Sequence, residues 1–89
     1  MSSVEEPIHL DPEQVKTLEK LLADCRHNVN NNLAMIMSAL ELVQFKPEAT
    51  EKMIGTAMSH SKKITVEFET FATQFEQVLR KARSEKTTK

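Results

Sequence analysis

The spacing of apolar residues from Val15 to Val43 constrains this chain more than any other feature. Val15, Leu18, Leu22, Cys25, Val29, Asn32, Ile36, Ala39 and Val43 recur at alternating intervals of three and four, with Asn32 the one polar member. Leu21, Leu33, Met37 and Leu40 widen the stripe. That periodicity puts the whole set on one side of an α-helix, and a heptad seam of this length needs neighbours along all of it. The start is marked too. Asp11-Pro12-Glu13-Gln14 offers an acid at the N-cap, a proline at the first helical position and a Gln that can reach back, which is the logic of a capping box.

Phe45-Lys46-Pro47-Glu48 breaks the pattern. Pro47 disfavours a helical Lys46 and suits the first position of a new helix. A connection of a few residues forces two long helices into antiparallel contact. The second seam is expected to read Ile54, Ala57, Ser61, Ile64, Phe68, Phe71, Phe75, Val78 and Ala82. Gly55 lies inside it, at a cost of about 1 kcal/mol against Ala, which hints at close packing there. The expected fold is all-α: two long antiparallel helices, over residues 11–45 and 47–83, form a hairpin domain. A flexible segment at residues 1–10 and a disordered tail at 84–89 flank it. Each helix of a lone hairpin has a single neighbour, so a wide stripe stays partly wet. Pairing two hairpins closes a four-helix bundle, and a homodimer is expected. A helical piece of a larger protein is the alternative.

Composition agrees. With 89 residues, one Gly, no Trp and no Tyr, the chain lacks the residues sheets use and is too short to bury a generous core alone. One cysteine excludes an intrachain disulfide and suggests a reducing compartment. A net charge of −1 gives no basic excess for gripping nucleic acid. The basic run at residues 80–89 reads as a solvated end. Leu33 to Val43 is interrupted by Ser38 and Glu41 and is too short for a bilayer, and the first residues carry no signal-peptide pattern. A cytoplasmic protein is expected, with no membrane and no nucleic-acid partner. Three His and one Cys at these separations make no zinc pattern, so no metal is assigned. Cys25 reads as a small buried apolar group, and His9 and His60 as solvated or structural side chains.

His27 is different. With Val15, Leu22, Val29, Ile36 and Val43 as heptad a positions, His27 falls at f, farthest from the seam, with Asp24 at i−3 and Asn31 at i+4. A lone surface His is ordinarily just solvated. Here Asn28, Asn30, Asn31 and Asn32 crowd four poor helix formers around it, a local cost consistent with a polar site. For Asn32 a second account stays open, because an Asn at a core position can set register and oligomeric state.

Cys25-Arg26-His27-Asn28-Val29-Asn30-Asn31-Asn32-Leu33, followed by Ala34-Met35-Ile36 and Leu40-Glu41-Leu42, resembles the dimerisation and histidine phosphotransfer domain of sensor histidine kinases. The likeness is to the subgroup whose phosphoacceptor motif reads His-Asp-x-x-Asn, and the matching architecture spans residues 11–83. The resemblance implies that His27 is the phosphoacceptor and that a response-regulator receiver domain is the partner. It implies that Asn31 is the amide, four residues on, that is associated with positioning a water for dephosphorylation. Asn28 departs from the pattern, because the family has an acid there to take up the proton from the other ring nitrogen. Asp24, one turn back, is a weak substitute. Such kinases also need an ATP-binding domain with Asn-rich and Gly-rich boxes. These residues contain neither those boxes nor a Walker loop. The chain is therefore expected to hold no cofactor, with ATP and Mg supplied only by a separate kinase domain. A stand-alone histidine phosphotransferase of similar helical-hairpin architecture, or the excised domain of a longer kinase, also fits the resemblance. The alternative is a degenerate dimeric scaffold that docks a receiver or kinase without being phosphorylated.

Overall fold

The computed structural model describes residues 7–87; residues 1–6 and 88–89, parts of the expected flexible segment and tail, lie outside it. Helix α1 runs Pro12–Phe45, a single 3-10 turn occupies Pro47–Ala49, and α2 runs Thr50–Thr87. The start of α1 is the capping box its sequence announces. Asp11 Oδ1 accepts from the Gln14 amide at 2.8 Å, and Gln14 Oε1 accepts from the Asp11 amide at 3.0 Å. Two orphan donors are satisfied reciprocally.

At the other end the Lys46 amide donates to the Leu42 carbonyl at 2.7 Å, and the Ala49 amide donates to the Lys46 carbonyl at 2.9 Å. Pro47 opens the 3-10 turn rather than the α-helix itself, and the Thr50 hydroxyl donates to its carbonyl at 2.6 Å. The turn reverses the chain, so the two helices lie antiparallel. The second helix also extends past Arg83, so Ser84 to Thr87 are helical where a disordered tail was expected.

The hairpin measures 65 × 24 × 17 Å. Cys25, Ala39 and Ala82 are its buried apolar residues, and all three are small. On α1 the predicted seam holds: Leu18, Val29, Asn32, Ile36 and Val43 are half-buried around Cys25 and Ala39. Val15 and Leu22 lie at its exposed margin. On α2 the seam is rotated from the expected one. Met53, His60 and Glu67 are half-buried together with Ala57, Ile64, Phe71, Phe75 and Val78, while Ile54, Ser61 and Phe68 face solvent. Phe71 and Phe75 pack with ring centroids 5.6 Å apart. Gly55 makes no close approach, since a Cβ there would meet nothing within 4 Å.

The physical reason is the width of the stripes. A single neighbouring helix covers only part of a broad apolar face, and the contact settles where small residues let the backbones approach. Part of what is left uncovered falls on one face, while Met35, Leu42 and Val66 are exposed elsewhere. The bonds from Asn32 to His60 and from Cys25 to Glu67 set which levels of α1 and α2 lie opposite. Helical periodicity then puts Leu22, Leu33 and Leu40 of α1 on the same face of the hairpin as Phe68, Ser61 and Ile54 of α2, at matching heights. Leu22 is 52% and Phe68 53% exposed. In all the protein exposes 7068 Å², against about 5,300 Å² for a compact globular monomer of this mass. No helix among the described residues is long and apolar enough to cross a membrane.

Candidate functional site

The fourth to sixth turns of α1 carry the candidate residues. His27 is exposed, on the side of α1 away from the seam. Asn31, one turn on, places its Nδ2 3.2 Å from His27 Nε2. An amide nitrogen can only donate, so Nε2 accepts and the ring proton resides on Nδ1. The imidazole is thus held in the tautomer whose Nε2 lone pair faces the Asn31 amide on the exposed side of the helix. Among the described residues, no group bonds Nδ1.

The two candidate partners for that second nitrogen are engaged elsewhere or turned away. Asp24 accepts an ion pair from Lys20 at 2.9 Å, along the exposed flank of α1. Such a pair is weak, about 0.5 kcal/mol, and Asp24 can exchange out of it. Asn28 is half-buried and lines a cleft between the helices. The structure therefore brings Asn31 to His27 and leaves Asn28 and Asp24 off the ring.

Asn32 faces the seam and joins the two helices. Its Oδ1 accepts from His60 Nδ1 at 2.7 Å, and its Nδ2 donates to the Asn28 carbonyl at 2.9 Å. Both ends of the amide are used, which fixes its orientation and assigns the Nδ1 proton of His60. His60, read from sequence as solvated or structural, is a half-buried interhelix partner. The signal was available: a polar residue on one seam needs a polar residue opposite it, and His60 keeps three-four spacing with Met53, Ala57 and Ile64.

The cleft is the other feature the sequence did not single out. Asn28, Asn31 and Asn32 of α1 and Lys63, Val66 and Glu67 of α2 line about 400 Å³ of open space on the face opposite Leu22 and Phe68. Neither Lys63 nor Glu67 has a side-chain hydrogen bond or ion pair. Asn31 belongs to both places, lining the cleft and holding the His27 ring.

No protein-family model, curated protein or solved structure matches this chain. Chemical meaning must therefore come from the geometry. An exposed imidazole becomes a nucleophile at Nε2 once the Asn31 amide moves aside, and that amide is a hydrogen-bond donor that can follow whatever binds Nε2. Among the described residues no three His, Cys, Asp or Glu side chains converge as metal ligands would. Cys25 is buried in the seam, its Sγ 4.0 Å from the Glu67 carbonyl, and offers no accessible thiol.

Proposed function

We propose that this protein is a histidine phosphotransfer module of a two-component or phosphorelay system, with His27 as the phosphoacceptor. One observation carries the reading: an exposed His27 ring with Asn31 Nδ2 3.2 Å from its Nε2. Phosphoryl transfer asks little covalent chemistry of a protein and much positioning. The Nε2 lone pair attacks phosphorus and forms the N–P bond as the acyl–phosphate bond of a receiver aspartate breaks. The bonding pair leaves with the carboxylate, and the Nδ1 proton is released to water. Run in reverse, the same step returns the group to a receiver. Phosphoryl groups would reach His27 from a phosphorylated receiver domain or from a separate ATP-binding kinase domain with its Mg.

Within this reading the partner on the apolar face is a second copy. Leu22, Leu33 and Leu40 of α1 and Ile54 and Phe68 of α2 are exposed apolar side chains on one face, the kind of surface a second hairpin covers in a four-helix bundle. Two hairpins so joined make a four-helix bundle and leave His27 on the outside, where a receiver can reach it. The proposed setting is the cytoplasm.

A second reading rests on Asn28. Without a carboxylate near Nδ1 the imidazolium formed during attack is not neutralised by this chain, which favours a dimeric scaffold that docks a receiver or kinase unmodified. The discriminating experiment is incubation with a phosphorylated receiver domain. The relay reading expects an acid-labile, base-stable phosphate on this chain that vanishes in His27→Ala. Absence of transfer, or transfer that survives His27→Ala, rejects it.

A further inference from the structure

We infer that Lys63, on the second helix, is the phosphoryl-binding residue of the His27 site, and that the cleft between the helices receives the oxygens of a phosphoryl group on Nε2. This rests on the phosphotransfer reading and adds to it a residue that no motif contains. A phosphoryl group on Nε2 carries close to two negative charges on three oxygens and must displace the Asn31 amide from the nitrogen it now faces. The oxygens then need donors. Asn31 supplies one, since its Nδ2 lies 3.2 Å from Nε2 and its side chain already borders the cleft. Asn28 can supply another from the same wall.

Charge has a single source. Among the described residues Lys63 is the one cation lining this cleft; it is exposed, and no acidic side chain among them pairs with it. A four-carbon stem lets the ammonium follow the oxygens, and a charge-assisted hydrogen bond is about twice as strong as a neutral one. Lys62, its neighbour in sequence, does not line the cleft but an adjoining hollow that shares Lys63 and Val66 with it. It carries the same charge away from the cleft. Glu67, half-buried on the cleft wall and also unpaired, opposes an anion there. The site thus makes opposite predictions for two residues one helical turn apart, which a merely structural role for either would not do.

The test needs no partner protein. Phosphoramidate transfers its phosphoryl group to imidazole: the donor's P–N bond breaks with release of ammonia as the new bond to the ring nitrogen forms. The whole chain is incubated with it, phosphohistidine is followed by phosphorus NMR, and sites are assigned by mass spectrometry, with His9 as an internal reference. Wild-type His27 should react faster than His9. Lys63→Gln should slow His27 about three- to tenfold, Lys63→Arg should restore it to within about twofold, Lys62→Gln should leave it unchanged, and Glu67→Gln should raise it. Equal helicity by circular dichroism shows that each variant folds. If His27 is privileged over His9 but Lys63→Gln behaves like Lys62→Gln, the role of Lys63 is refuted while the phosphoacceptor survives. If His27 reacts no faster than His9, the phosphoacceptor reading fails and the role of Lys63 falls with it.

Discussion

The bond between Asn32 and His60 ties the register of the hairpin to a measurable energy. Asn32→Ala removes the 2.7 Å bond from His60 Nδ1 and the amide's own 2.9 Å bond to the Asn28 carbonyl. Each intramolecular hydrogen bond contributes about 1 kcal/mol net. Both residues are only half-buried, so water can partly satisfy the stranded His60 N–H and Asn28 carbonyl. The expected cost is therefore about 1–2 kcal/mol, or a fall in Tm of roughly 5–10 °C for a domain of this size. His60→Ala should cost about 1 kcal/mol by the same reckoning. Because the two side chains share one bond, the double variant should lose about 1 kcal/mol less than the sum of the singles. Urea titration followed by circular dichroism at a fixed protomer concentration measures all four corners of the cycle. Replacing the pair by Leu at both positions should match or exceed wild-type stability, since apolar packing readily takes the place of a half-buried polar pair between helices. That variant should also broaden the amide NMR spectrum, because the side-chain pair that ties His60 to Asn32 is gone. Additivity of the two alanine substitutions to within about 0.3 kcal/mol would refute the claim that the bond couples the helices.

Phe68→Glu should break the proposed dimer. The 53% exposed ring offers about 100 Å² for burial, or about 2.5 kcal/mol per protomer, counted twice in a two-fold interface; sedimentation at micromolar concentration should move from about 20 kDa to the 10.1 kDa of one chain, and a wild-type monomer would overturn the bundle. Gly55→Ala should raise stability by about 1 kcal/mol, since a Cβ there meets nothing within 4 Å; a loss of stability would show that Gly55 packs against something outside the hairpin. Asn28→Asp should speed phosphoryl acceptance by His27 if the missing carboxylate limits the reaction, and an unchanged rate in the phosphoramidate assay would remove Asn28 from that account.

Much of the fold was legible because its signals are local. The Asp11–Gln14 capping box, the break at Pro47 and the f position of His27 each depend on a few neighbouring residues, and the structure carries all three. The rotation of α2 was not legible, because the three-four rule fits two rows equally well. One runs Met53, Ala57, His60, Ile64, Glu67 and Phe71; the other runs Ile54, Ala57, Ser61, Ile64, Phe68 and Phe71. Hydropathy favours the second row, through Ile54 and Phe68. The hairpin uses the first, through the bond from His60 to Asn32. Lys63 and Glu67 escaped notice for the same reason, since which charged residues border the Asn-rich turns depends on that rotation.

The two rows need not compete. A helix in a hairpin has one neighbour, and in a bundle it has two about a quarter-turn apart, so a chain made for the bundle must carry both rows at once. On that view the polar row, with His60 and Glu67, belongs between the helices of one chain, where Asn32 can answer it. The apolar row, with Ile54 and Phe68, belongs between chains, facing Leu22, Leu33 and Leu40 of a second hairpin. The division also places the chemistry. The face carrying Asn28, Asn31 and Lys63 lies opposite Leu22 and Phe68, so the proposed bundle, closed on one face, leaves the cleft next to Asn31 open on the other.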